Sequence, residues 1–239
     1  MKALPVRWVA AGSLLAAAAG SLALETAATQ SAPASVLING KDDGYRGIWY
    51  MNQPSNDEYV YKYSGGLGTY CANHSPLAWY VAKVNKTFFT YGGTTKDSHK
   101  QLVHMVSYFD HDTGMVPRPT LLLDKKTDDA HDNPVLSVDD DGYIWIFSSS
   151  HGRSRPSYIS RSVRPYSVDT FDLVWTGNFS YPQPWHFPGR GFLLLHTYYN
   201  PGRTICMMTS PDGAAWSERR LLSSIHMGHY QVSRPMANR

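Results

Sequence analysis

Two histidines, His131 and His151, stand at the ends of the stretch "AHDNPVLSVDDDGYIWIFSSSH". Imidazole is the side chain that exchanges a proton near neutral pH, so a pair of them is suited to general acid–base work. "PVLSV" and "YIWIF" read as two strands joined by an Asp-rich turn that ends at Gly142. Residues just before one strand and just after its antiparallel partner fall at the same sheet edge. The two rings therefore either close a turn together or face a common site. A third histidine, His74, lies in "TYCANHSP" behind Cys71. One Cys-x-x-His without a second ligand pair does not make a zinc site, and no metal or other cofactor is expected.

What must position these residues is a β-rich chain. After residue 35 the sequence is dense in Gly, Pro, Asn, Asp and Tyr, with strand-length apolar or alternating runs. These are "LAWYVAK", "KTFFTYG", "LVHMVSYFD", "PTLLLD", "PVLSVD", "YIWIFSSS", "SYISRS", "GFLLLHTYY" and "TICMMTS". No stretch after the N-terminal leader shows three turns of amphipathic helical periodicity, so the fold class is all-β. A degenerate repeat runs through it. Histidines at 74, 131, 186 and 229 each precede a strand, spaced by roughly forty to sixty residues, and a turn of Asn-Lys, Asp-Gly or Gly-Arg type leads into an aromatic-rich second strand in the first three. That period, with several strands in each unit, is what propeller blades produce. "TSPDGAAWSE" carries Ser210, Asp212, Gly213 and Trp216 in the order of an Asp-box turn, one residue short between Asp and Gly. Such a turn supports the architecture and caps a hairpin away from any catalytic centre.

The composition, 42% hydrophobic and 17% charged, is that of a globular protein able to bury a core. A net charge of +3 with ten histidines permits an anionic ligand without demanding one, and is too mild to mark a nucleic-acid binder. Lys2 and Arg7 precede an apolar run from Trp8 to Leu24 and then small residues suited to cleavage. This predicts a signal peptide and linker over 1–34, a partial propeller domain over 35–239, and a secreted or periplasmic protein with no integral membrane association after cleavage. The apolar run is short for a bilayer span. Cys71 and Cys206 could pair in an oxidising compartment or remain free and buried.

The phrases "DDGYRGIWYMNQPSNDEYVYKYSGGLGTYCANHSPLAWYVAKVNKTFFTYGG", "DDAHDNPVLSVDDDGYIWIFSSSHGRSRP" and "YPQPWHFPGRGFLLLHTYYNPGRTICMMTSPDGAAWSE", followed by "GHYQVS", resemble the BNR-repeat family that includes the ulvan lyases of polysaccharide lyase families 24 and 25. The resemblance spans residues 38 to 233 and implies a β-propeller, seven-bladed in the family, of which this chain would hold about three to four blades from the N-terminal half. It also implies β-elimination on an anionic polysaccharide of sulfated rhamnose and uronic acid. Such a lyase must remove the proton at C5 of a uronate, whose carboxylate resists a second negative charge. It therefore needs a base over C5, a cation or strong donors on the carboxylate and an acid for the departing O4.

On that resemblance His131 is a general base or acid and His151 its partner or a donor to the carboxylate, because the family's histidine pair has this spacing on one hairpin. The family also uses a tyrosine from the next blade. "LHTYYNPGR" is the matching stretch, and Tyr198 and Tyr199 alternate in facing, so one of the two can reach the site. Arg203 could lower a phenol's pKa or clamp the carboxylate. Arg153 and Arg155 in "HGRSRP" could bind uronate or sulfate groups, and His74 is a further candidate substrate contact. The tyrosines of "DEYVYKYSGG" could line a sugar-binding wall or pack between blades.

Other signatures are missing: the sequence has no G-x-S-x-G elbow, P-loop, H-E-x-x-H or Rossmann glycine pattern. A glycoside hydrolase would need two carboxylates across a cleft, whereas "DKKTDD" and "VDDDG" read as turns. Two functions remain, a secreted polysaccharide lyase and a non-catalytic carbohydrate-binding propeller fragment.

Overall fold

The computed structural model describes residues 35–42, 74–94, 101–224 and 231–236. The predicted signal peptide over 1–34, Cys71, the tyrosines of "DEYVYKYSGG" and His229 lie outside the described residues. The thirteen strands in this part of the chain are β1 (Leu37–Lys41), β2 (Ala78–Val81), β3 (Lys86–Thr94), β4 (Leu102–Asp110), β5 (Thr120–Asp124), β6 (Pro134–Val138), β7 (Ile144–Ser148), β8 (Ser157–Ser162), β9 (Phe171–Gly177), β10 (Ser180–Phe187), β11 (Gly191–Tyr199), β12 (Arg203–Ser210) and β13 (Arg220–Ser224). They form three antiparallel sheets. Two are simple meanders, β6-β7-β8-β9 and β10-β11-β12-β13, and the first runs β2-β3-β4-β5 with β1 added at its outer edge. The leading strands β2, β6 and β10 abut one another, as the innermost strands of neighbouring propeller blades do.

The middle sheet shows why the chain folds this way. β6 and β7 are buried at every position, so both faces of the sheet must be covered, and side chains alternate between two cores. Leu136, Val138, Ile144 and Ile146 face one cluster, with Phe88, Val106 and Leu122 of the first sheet. Val135, Trp145 and Phe147 face the other, with Phe192 and Leu194 of the third. Burying each of these side chains contributes about 1.5–3 kcal/mol. The β6–β7 turn is held by Asp139, whose Oδ1 accepts from the backbone N–H groups of Asp141 and Tyr143 and whose Oδ2 accepts from Trp145 Nε1. Gly142 has φ +86, and a Cβ there would lie 2.1 Å from the Tyr166 ring. "VDDDG" is thus the turn it was read as.

The Asp-box stretch is also a hairpin turn, joining β12 to β13. Asp212 Oδ1 accepts from the backbone N–H groups of Ala214 and Ala215, Gly213 N donates to Ser210 Oγ, and Trp216 Nε1 donates to the Gly213 carbonyl. These donors hold the Asp212 carboxyl below the usual range. The Cys206 thiol is free and buried in β12.

The repeat needs one correction of phase. His74 and His131 precede the innermost strands β2 and β6, but His186 lies inside β10, near its far end, with Nδ1 3.7 Å from Asp140. The innermost strand of the third blade begins at Ser180, before two prolines. Proline is tolerated there because β10 is an edge strand, hydrogen-bonded to β11 alone. The side chain of Gln183 in β10 is bound by the last described segment, donating to the Gln231 carbonyl at 2.6 Å and accepting from Ser233 N at 2.6 Å.

Candidate functional site

The loop after β5 supplies the carboxylate on which the site is built. Asp129 caps the single 3-10 turn Ala130–Asp132, accepting the His131 backbone N–H at 3.0 Å. The same carboxylate meets both histidine rings: Oδ1 lies 2.6 Å from His131 Nδ1 and Oδ2 lies 2.8 Å from His151 Nδ1. An ionised carboxylate only accepts, so Nδ1 carries the hydrogen on each ring and Nε2 is the basic nitrogen of the neutral form. Burial opposes ionisation of Asp129, but the hydrogen bonds from His131 and His151 outweigh it and hold the carboxyl well below the usual range. The rings stack with centroids 4.2 Å apart and planes 24° from parallel. The hairpin β6–β7 therefore brings the predicted pair together.

His151 is fixed from its backbone as well. Its N–H donates to Asp132 Oδ1 at 2.6 Å, and Asp132 is fully buried. Arg155 closes on the same carboxylate, with Nε 2.9 Å from Oδ2 and Nη2 3.1 Å from Oδ1, and its Nη2 lies 3.5 Å from Asp129. Buried Lys125 stands 3.9 Å from Asp132 and donates to Ser150 Oγ and the Pro156 carbonyl. Burial pushes the Lys125 amine down to about 8, against the attraction of Asp132. The loop carrying His151 is thereby pinned on both sides. The Arg155 fork is committed to this brace rather than turned outward. "DKKTDD", read in the sequence as a turn, contributes both Lys125 and Asp129.

Tyr181 escaped the sequence reading. It is fully buried, and its ring lies 5.4 Å from His74, 6.0 Å from His131 and 6.1 Å from His151. Its φ of +49, at a register shift in β10, is an uncommon conformation for a bulky residue, and such strain concentrates at functional sites. The prolines of "YPQPW" were the available signal. His74 is buried, and among the described residues neither ring nitrogen has a hydrogen-bond partner. Burial first, then the charges of His131 and His151, lowers its pKa to about 3, so it is neutral. His104, another buried imidazole, bonds Ser148 Oγ at 2.9 Å and the Asp132 carbonyl at 2.7 Å, tying β4 to the second blade.

The two tyrosines separate by neighbour. Tyr199 presents an edge-on contact to His151 at 5.7 Å, and Arg203 Nε donates to its Oη at 3.2 Å. Tyr198 lies against the guanidinium groups of Arg219, at 3.7 Å, and Arg153, at 5.4 Å. Tyr199 is thus the member that borders the histidine pair. Asp129, His131 and His151 are also the one set among the described residues whose ligand atoms lie close enough to meet on a cation, within 4.8 Å of one another. Their Nδ1–carboxylate separations are hydrogen-bond lengths, and a zinc ion about 2 Å from each ligand would force them apart.

Comparison with known proteins bears on the family and the fold. The profile described as BNR repeat-containing family member matches residues 77–234. No curated protein matches the sequence. A solved structure described as a new family of polysaccharide lyase, PL25 ulvan lyase, is 18% identical with a TM-score of 0.53, over 62% of this chain and 38% of that one. A second, the PL25 ulvan lyase bound to -[GlcA(1-4)Rha3S]-, is 17% identical with a TM-score of 0.53 over the same shares. The likeness is one of fold, and this chain spans 38% of the length of those enzymes. Among the described residues no helix is long and apolar enough to cross a membrane.

Proposed function

The chain belongs to the BNR repeat-containing family, and from that footing we propose that it is a secreted polysaccharide lyase acting on a uronate-containing sulfated glycan of the ulvan type. The observation that carries the reading is the single Asp129 carboxylate holding both His131 and His151 by Nδ1, which makes Nε2 the proton-exchanging atom of two stacked rings beside Tyr199. Two positioned imidazoles and a phenol are the groups that elimination needs, and they need no metal to act.

In the proposed reaction His131 Nε2 takes the C5 proton of the uronate. The C5–H electrons form the C4–C5 double bond, the C4–O4 bond breaks, and O4 leaves with a proton from Tyr199 Oη. His151 donates to the uronate carboxylate as charge builds on it, and Arg203, already bonded to Tyr199 Oη, orients the phenol and adds positive charge. His74 and Tyr181 form the buried wall behind the pair.

Incubating the purified, folded chain with ulvan and with other polyuronates, and following the ultraviolet absorbance of the unsaturated product, tests the proposal. A steady rise supports elimination. Binding with no such rise on any uronate polymer would leave a carbohydrate-binding propeller instead, and new reducing ends without unsaturation would mean hydrolysis.

A further inference from the structure

We propose that the protein carries a second ligand site, for a neutral pyranose sugar, in a cavity of about 490 Å³ at the end of the sheets opposite the histidine pair. His131 and His151 flank β6 and β7 at one end, and the turn 139–143 joins those strands at the other. Each strand is five residues long, which separates the two places by roughly 17 Å at ~3.3 Å per residue. The inference does not depend on what the histidines do.

Three hairpin turns build the cavity, β6–β7 of the second blade with β10–β11 and β12–β13 of the third. The first two are tied together: Asp140 Oδ2 accepts the Gly189 backbone N–H at 3.0 Å, and its Oδ1 lies 3.7 Å from His186 Nδ1. The third is pressed onto the wall, since a Cβ on Gly213 would lie 2.4 Å from the Trp145 ring. The cavity is therefore held open by contacts between blades, and its size is that of small-molecule sites. Arg161 reaches it from β8, its guanidinium 4.6 Å from the Tyr143 centroid and 5.6 Å from that of Trp145. Among the described residues Arg161 Nε is buried without a hydrogen-bond partner, and no carboxylate lies within ion-pair distance of it. The exposed Asp141 carboxylate likewise meets no described residue.

These groups select the ligand by chemistry. A buried N–H without an acceptor costs free energy, so an oxygen that reaches Arg161 Nε is favoured. The lining holds four aspartates against two arginines, which opposes a polyanion, while Arg161 opposes a lone cation. A hydroxyl satisfies both kinds of group at once, accepting from the guanidinium and donating to Asp140 or Asp141. A pyranose ring presents several hydroxyls on one rigid frame, and its C–H face can pack on the half-buried Tyr143. The cavity thus fits an uncharged sugar, held apart from the histidine pair and from any anionic chain bound there.

The test is calorimetric titration of the folded chain with three neutral probes, cellohexaose, xylohexaose and mannohexaose, and with hexagalacturonate and calcium chloride for comparison. At least one neutral hexasaccharide is expected to bind, and about tenfold or more tightly than either charged probe. Asp141→Ala and Arg161→Gln should each weaken that binding about tenfold, the scale of a hydrogen bond to a charged group. Asp141 is exposed and unengaged, so its variant keeps the fold even if loss of the Arg161 stacking does not. His131→Ala, at the other end of the sheet, should bind the neutral probe as the unaltered chain does. Binding of none of the three sugars, tighter binding of hexagalacturonate or calcium, or undiminished affinity in the folded Asp141→Ala protein overturns the site. Loss of binding in the folded His131→Ala protein overturns it as well, by placing the sugar at the histidine pair.

Discussion

His131 and His151 stack ring upon ring, centroids 4.2 Å apart, with both Nδ1 atoms turned to the carboxylate of Asp129. One carboxylate thus sets the tautomer of two imidazoles. Asp129→Asn replaces two accepting oxygens by one acceptor and one donor, so one ring must present a bare Nδ1 and carry its hydrogen on Nε2. That ring can no longer take a proton at Nε2. The expected loss in elimination rate is about a hundredfold or more, the scale of a misplaced acid–base group. Initial rates, with circular dichroism to confirm the fold, measure it, and a rate within about twofold of the unaltered chain would refute the assignment.

Arg155 braces the loop that carries His151. Its fork holds the fully buried Asp132, which also receives the His151 backbone N–H. Arg155→Ala leaves that carboxylate with Lys125 at 3.9 Å as its remaining cation. Removing one partner of a buried pair commonly costs about 3–5 kcal/mol, and the residual lysine and the partial exposure of Arg155 bring the expectation to about 2 kcal/mol. Urea unfolding should show this loss while KM changes little. A raised KM with unchanged stability would show instead that Arg155 contacts the substrate.

His74 makes stability depend on acid. Its pKa is about 3 in the fold against 6.5 outside it, so the unfolded chain binds the extra proton between those values. Stability is therefore full above pH 6.5 and is lost as pH falls toward 3, with a slope approaching about 1.4 kcal/mol per pH unit from this group. Buried His104 and His196 shift in the same direction. His74→Phe forfeits no hydrogen bond, since neither ring nitrogen makes one, and should flatten the drop in urea midpoint between pH 7 and pH 5. Identical drops in the two proteins would contradict the burial of a neutral imidazole at this position.

Much of this molecule is legible in its residues where burial is two-sided. "LVHMVSYFD", "SYISRS" and "GFLLLHTYY" coincide with β4, β8 and β11, and the histidine pair follows from the geometry of one hairpin. Four strands, β1, β9, β10 and β13, were not foreseen. The outer strand β9 exposes Asp172 and Leu173 in succession and β13 exposes Leu221 and Leu222, which erases the alternation that marks a strand. In β10, Pro182 and Pro184 argue against a strand unless its edge position is known, and that same obscurity shifted the repeat onto His186 and hid Tyr181. Asp129 was concealed differently. In sequence it belongs to an acidic turn, and only the return of the chain at His151 makes it the hinge of the site.

The most direct test compares initial rates of unsaturated-product formation on ulvan by the unaltered chain and by His131→Ala at matched, folded concentrations. The expected result is a measurable rate for the first and a loss of at least about a hundredfold for the second, since His131 Nε2 is the proposed base. Equal rates in the two proteins would contradict elimination at the histidine pair.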